Sequence, residues 1–400
     1  MNFSWYPIAR VGMRYDDNVL GQPKNAQDAL GFDTGGSVSF KADSETWNSA
    51  LTPRFNIRRF AVGDNLDAEE YSVDFKNQMT RERWSAGLSV RYAQDSTLSS
   101  EVTNLGVRNA VTDRDTLSVD PTLSYAFSDR TTLQAAFGYQ DVSFSGGLQT
   151  GYIGYQYMMG SFTLTHAVNE MDKFFASPFV SDFRVPEVNS HSRTYGGQAG
   201  YQKFFTPTFD VTAALGFESS EVQFDNQSPD LTRPVLLFDR RTGQLFTIFP
   251  FVRTFSDQTS SDGLLVNVNI HKKFELTDAN LEYARQVSPT ARGAQEVTDI
   301  IDANATRLLT DRAKLHFYGS YVMGDSAAQV NIPNLTREQT YLQGGISYRL
   351  YERLTIDTSY WYAYRPGAFG SGSVSQQGIY LYLTYDGGPR SFVPPFWSGF

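Results

Sequence analysis

Cysteine is absent from this 400-residue chain. That excludes a disulfide scaffold, a thiolate metal site and a cysteine nucleophile, and it is compatible with an oxidising compartment. Charge is sparse, with Asp, Glu, Lys and Arg together making up 19%. No apolar run approaches the roughly 18 residues that a membrane-crossing helix needs, and no stretch carries a convincing helical period. The net charge of −9 gives no reason to expect a nucleic-acid partner. A signal-peptide pattern is also missing, because Met1 runs straight into Phe3, Trp5 and Tyr6; the sequence reads as a mature or trimmed form. Aromatic residues, by contrast, are abundant: 30 Phe, 23 Tyr and 5 Trp, or 14%. A disordered chain would be poor in them. A large β protein with strands half apolar and half polar remains.

Period-2 alternation runs from end to end. Trp84, Ala86, Leu88, Val90 and Tyr92 oppose Ser85, Gly87, Ser89 and Arg91. Leu133, Ala135, Phe137 and Tyr139 oppose Thr132, Gln134, Ala136 and Gly138. Leu354, Ile356, Tyr360, Tyr362 and Tyr364 oppose Thr355, Asp357 and Arg365. Such strands have one apolar and one polar face.

The connections fall into two classes. Tight ones are read at Asp43-Ser44-Glu45, Arg81-Glu82-Arg83, Ser128-Asp129-Arg130, Met159-Gly160, Thr206-Pro207, Asp311-Arg312 and Glu352-Arg353. Long polar ones are read at Asn18–Gln27, Ser96–Thr112, Asn169–Ser192, Asp225–Arg233, Ser288–Gln295, Gly324–Thr336 and Pro366–Ser373. Short and long mostly alternate, as in an outer-membrane barrel with short periplasmic turns and long outer loops. The expected fold is therefore all-β: one transmembrane antiparallel up-and-down β-barrel of about 18 to 20 strands in a bacterial outer membrane. The count turns on whether Pro234 to Arg241 crosses the membrane or forms one arm of a loop hairpin turning at Thr242-Gly243.

Trp5, Tyr15, Trp47, Tyr71, Trp84, Tyr92, Tyr360 and Trp361 are expected in aromatic girdles at the two interfaces. The run from Gln376 to Leu383 resembles the β-signal by which barrel-assembly machinery recognises a last strand. One domain, residues 1–386, is expected to form the barrel. A Pro- and Gly-containing tail, residues 387–400, is expected in the periplasm or against the barrel mouth.

Four histidines, His166, His191, His271 and His316, are candidates for acid–base work in a Ser-His-acid arrangement, which geometry alone defines, and no nucleophile elbow accompanies them. No catalytic residue, cofactor site or metal site is assigned; Asp16-Asp17-Asn18 and Asp225-Asn226 lack full ligand spacing for calcium. The polar faces offer more. If apolar residues face lipid, the lumen is lined by Arg10, Arg14, Arg54, Arg58, Lys76, Arg91, Arg349, Arg365, Asp74, Asp120 and Asp357. Lys41, Lys273, Arg353, Asp33, Glu218, Glu282 and Asp302 share that face. A charge facing lipid at mid-depth costs about 2–4 kcal/mol for Arg or Lys. Two readings are open: a conduit with a transverse field, or cross-strand ion pairs filling a narrow or plugged lumen. Arg10, Arg14, Arg54 and Arg58 form the densest basic patch, a ladder that would favour acidic groups, unless Asp33 and Asp74 on flanking strands neutralise it.

Arg14-Tyr15-Asp16-Asp17-Asn18-Val19 resembles the first hairpin of outer-membrane β-barrel porins associated with exopolysaccharide operons. So does Leu281-Glu282-Tyr283-Ala284-Arg285-Gln286-Val287-Ser288-Pro289 with its following strand and Leu-Thr-Asp-Arg turn. The resemblance implies a conduit exporting a bacterial polysaccharide, with outer-membrane lipid, the polysaccharide and periplasmic export proteins as partners. Alternatives are a general or sugar-selective diffusion porin, a barrel enzyme, and an adhesive barrel with a plugged lumen.

Overall fold

The computed structural model describes residues 2–61, 66–98, 111–146, 152–229, 235–239, 244–248, 252–289, 295–326, 337–367 and 372–391. Strands β1 (Asn2–Asp16), β2 (Ala29–Asp43), β3 (Trp47–Phe60), β4 (Ala68–Thr80) and β5 (Trp84–Ser96) open the chain. They are followed by β6 (Asp113–Ser128), β7 (Thr131–Phe144), β8 (Tyr155–Ala167), β9 (Asp172–Val185) and β10 (Ser190–Thr206). Then come β11 (Phe209–Pro229), β12 (Val235–Asp239), β13 (Gln244–Ile248), β14 (Val252–Lys273) and β15 (Thr277–Pro289). The last are β16 (Gln295–Leu308), β17 (Ala313–Ser326), β18 (Arg337–Tyr351), β19 (Leu354–Arg365), β20 (Val374–Asp386) and β21 (Arg390–Ser391).

Eighteen of these strands close one antiparallel up-and-down barrel. The seam is β1 on β20, from Ile8 opposite Asp386 to Asp16 opposite Gly378. Closure leaves no edge whose N–H and C=O groups would face lipid unpaired. The remaining three strands are accessory. β12 and β13 pair only with each other, so Val235–Asp239 is one arm of a loop hairpin and not a membrane crossing. Its expected turn at Thr242-Gly243 lies outside the described residues. β21 prolongs the seam, with Ser4 opposite Ser391 and Trp5 opposite Arg390.

One end of the barrel carries the tight turns, and the other carries the long connections. Along each strand one parity is apolar and exposed: Val11, Met13 and Tyr15 on β1, and Ile379, Leu381, Leu383 and Tyr385 on β20. An exposed apolar belt around a closed barrel is what lipid requires. The molecule is an outer-membrane barrel.

Three expectations are corrected. Met159-Gly160 is no turn; both lie inside β8, where Met159 faces inward beside Ser181 and Gly160 outward beside Val180. Its glycine reads as punctuation, but the alternation continues through it. Asn169–Ser192 is no single long loop, because β9 fills most of it. Pro178 hides that strand in sequence: it stands where the β8–β9 ladder skips from Phe179 to Ala176, so its missing N–H is tolerated. Trp361 is no girdle residue. It shares the inward parity of Asp357 and Ser359 and is 1% exposed.

Candidate functional site in the lumen

Register places all eleven predicted lining residues on the inward parity. The barrel does not bring them to one locus. Arg54 on β3 stands opposite Ser72 on β4, and Asp74 lies one inward position nearer the tight turns. Arg91 on β5 stands opposite Asp74. Asp74 therefore sits between two arginines, ion-paired to Arg54 and 3.3 Å from Arg91. Their reach differs: the Asp74 side chain is 13% exposed, those of Arg54 and Arg91 48% and 50%. With Arg10, Arg114 and Glu70 these arginines line a concavity of about 710 Å³. Arg114 is held by Asp95 through two hydrogen bonds of 2.9 and 2.8 Å.

Arg58 is different. Its Nε donates to Asp33 at 2.9 Å, both side chains are buried, and Glu70 lies 3.6 Å away. The hydroxyl of Tyr382 donates to the other Asp33 oxygen at 3.0 Å, so strand β20 is tied to β2 across β1. Arg10 lies over the Tyr382 ring at 4.5 Å, and Arg14 over Tyr380 at 4.9 Å. Gly12 lies between them, where a Cβ would collide with the Tyr382 ring. The aromatic row continues around the wall through Trp361 and Tyr341 to Tyr318, with centroid spacings of 6.2, 6.0 and 6.0 Å. Offset ring pairs of this kind add about 0.5–1.5 kcal/mol each beyond their buried area.

Nearer the tight turns, Lys41, Ala50, Lys76, Ser89 and Asp120 form one row of register partners. They border a second concavity, of about 570 Å³. Arg349 faces inward on β18 and Asp357 on β19, with no ion pair between them. Arg365 is inward but buried, and it donates to the carbonyl of Gly21 at 3.2 Å. It holds a loop, and no open lumen surface remains on it. Arg353 occupies the turn between β18 and β19 and is not on the wall.

That loop belongs to a feature sequence reasoning missed. Val19, Leu66 and Leu98, from three outer connections, pack with Ala29 and Phe60 of the wall into a small apolar core. Asn18 is pinned there, accepting from Gln376 Nε2 at 2.6 Å and donating to the Ser375 carbonyl at 3.2 Å. The signal was available: isolated apolar residues in otherwise polar loops need a place to be buried. A second inward contact joins Gln295 at the start of β16 to β10, where Ser192 donates to its Oε1 at 2.7 Å.

The histidines are spread out. His166 contacts Thr131, His191 contacts Asp182, and His271 lies 3.2 and 3.1 Å from Asp210 and Asp278. His316 lies 3.0 Å from the Ser359 hydroxyl, with no carboxylate bonded to the ring. Among the described residues no Ser-His-acid arrangement is assembled. Asp16 and Asp17 accept backbone N–H bonds from Asn18 and Gln377.

No protein-family model and no curated protein matches this chain. Among solved structures it is similar to OccAB4 of Acinetobacter baumannii, with a TM-score of 0.49 and 11% identity, covering 98% of this chain and 99% of that one. It is likewise similar to OccK5 (OpdH) of Pseudomonas aeruginosa, with a TM-score of 0.49, 9% identity, and 96% and 98% covered. A third likeness is to the ferric-catecholate import receptor Fiu of E. coli K12, with a TM-score of 0.49, 9% identity, and 94% and 81% covered.

Proposed function

We propose that the barrel is a passive conduit whose wall favours polyanionic solutes, and that its cargo is an acidic exopolysaccharide leaving the cell. One observation carries this reading: around the larger concavity the carboxylate of Asp74 lies against the wall while Arg54 and Arg91 reach into the lumen. A passing polymer meets guanidinium heads first, and planar guanidinium suits paired contact with carboxylate. Several half-exposed arginines along a wall suit a sliding chain, since binding must be strong enough to enter and weak enough to leave. The exopolysaccharide assignment rests on the resemblance of the first hairpin and of the run from Leu281 to Pro289. Planar-bilayer recording tests the reading. Oligogalacturonate should reduce the single-channel current where neutral maltooligosaccharide of equal length does not. Equal block by both overturns the preference for anions.

A second reading has its own observation. The inward-folded loops around Val19, Leu66 and Leu98 fit a barrel closed at its outer mouth, with the loops presented to a partner. Absence of any conductance in the same recordings favours it.

A further inference from the structure

Away from the arginines, β11 carries a carboxylate that the conduit reading does not use. Glu218 is inward-facing and 3% exposed, and its Oε2 has no hydrogen-bond partner. The strands beside it make room for it. Its register partners are Gly196 on β10 and Gly263 on β14. A Cβ on Gly263 would stand 2.7 Å from Glu218 Oε1, and the Phe179 ring lies over Gly196. The carboxylate so placed borders a cavity of about 220 Å³, shared with Tyr157, Phe179, Gln198 and Asn267. Arg285 on β15 is the one cation that acts on Glu218 among the described residues, and Asp299 holds its guanidinium at 2.9 Å.

An ionised carboxylate taken out of water costs several kcal/mol unless a positive charge accompanies it. Here the one wall cation at the cavity, Arg285, is already paired with Asp299, so the two carboxylates and the guanidinium leave one negative charge unmatched. Besides Arg285, the lining offers amide and hydroxyl oxygens as acceptors and the rings of Tyr157 and Phe179, which attract a cation by their negative faces. A divalent metal would need about six to eight oxygen ligands, and a single carboxylate with scattered amides does not provide them. We propose that this cavity binds a primary ammonium group, with Glu218 as its counter-ion. The site stands on β11, nearly across the barrel from Arg54 on β3, so the lumen has a cation-binding wall and an anion-binding wall. This inference does not depend on the polymer-export reading.

Calorimetric titration of the detergent-solubilised barrel tests it, using n-butylammonium, n-butanol, glucosamine and N-acetylglucosamine as probes. Butylammonium is expected to bind and butanol not. Glucosamine binding without N-acetylglucosamine binding identifies an amino sugar as the source of the ammonium; butylammonium binding alone identifies a small free amine. E218Q should weaken binding about tenfold or more, because a hydrogen bond to a charged group contributes about 1.5–3 kcal/mol. It removes a buried unpaired charge, so folding should persist, which heat-modifiable gel mobility reads. G263A keeps the charge but displaces the carboxylate, and should weaken binding too. If wild type binds no ammonium probe, or if E218Q and G263A bind as wild type does, the site is refuted. Calorimetry reads binding whether or not the barrel conducts, so failure here and failure of the conduit are separable.

Discussion

Neutralising the two projecting arginines, R54Q with R91Q, tests the charge of the wall directly. Both heads are about half exposed, so an ion in the lumen passes them through water and not through protein. At about 7 Å two unit charges in water interact by about 0.6 kcal/mol. Screening at 0.1 M salt, with a Debye length of about 10 Å, roughly halves that to about 0.3 kcal/mol. Removing two charges then alters the free energy of each permeant ion by about 0.6 kcal/mol, in opposite senses for potassium and chloride. The permeability ratio should shift toward potassium by about 1.2 kcal/mol, or about eightfold. Asp74 is left alone but near the wall, and surface pairs of this type contribute only about 0–1 kcal/mol, so the barrel should stay folded. The reversal potential in a potassium chloride gradient reads the ratio, and gel mobility reads the fold. An unchanged reversal potential in a folded barrel would refute the argument, because Arg54 and Arg91 would then be structural ion-pair partners of Asp74 and nothing more.

Arg58 behaves otherwise, since its partner Asp33 is buried with it. D33N should destabilise the barrel by about 1–3 kcal/mol in urea titration from lipid, because it removes the nearer carboxylate of the buried guanidinium and leaves only Glu70 at 3.6 Å; no measurable loss would show the pair to be solvated. Trp361, stacked between Tyr341 and Tyr380, should cost about 3–5 kcal/mol on truncation in W361A, with thermal unfolding as the check. R365A removes the bond to the Gly21 carbonyl and should free the β1–β2 connection, seen as faster proteolysis there and as larger conductance. No change in either would show that Asn18 and the Val19 core hold the loop by themselves.

Much of this was legible in the sequence, for a definite reason. With one face in lipid, alternation along β5, β7 and β19 has to be written residue by residue, because a one-place slip exposes every charge. Inward parity could therefore be read for Arg54, Arg91 and Asp74 alike. Trp361 was misplaced against that same rule; its spacing from Asp357 already put it inside. What parity cannot give is register between strands. That Asp74 falls between Arg54 and Arg91 needs the β3–β4–β5 alignment, and that Tyr382 reaches Asp33 needs the barrel closed. Glu218 was on the inward set from the start, but its glycine flanks are 22 residues before it and 45 after it, and only the ladder makes them neighbours.

The same limit explains why a charge count misjudges the wall. On β1 to β6 the inward arginines and lysines are nearly matched by aspartates and glutamates, which by tally argues for a neutral surface. Chain length breaks the tie. An aspartate has one methylene between backbone and charge, an arginine three, and a long amphipathic side chain carries its head outward while its stem covers the wall. Asp33 and Asp74 are consequently the shielded members of their pairs. Arg58 follows Asp33 into burial because Tyr382 closes over that carboxylate, whereas Asp74 is shielded by its own two arginines, whose heads extend into the lumen. The field a solute meets is thus set by the reach of the arginines and by which acid is capped, the second a consequence of the β1–β20 seam.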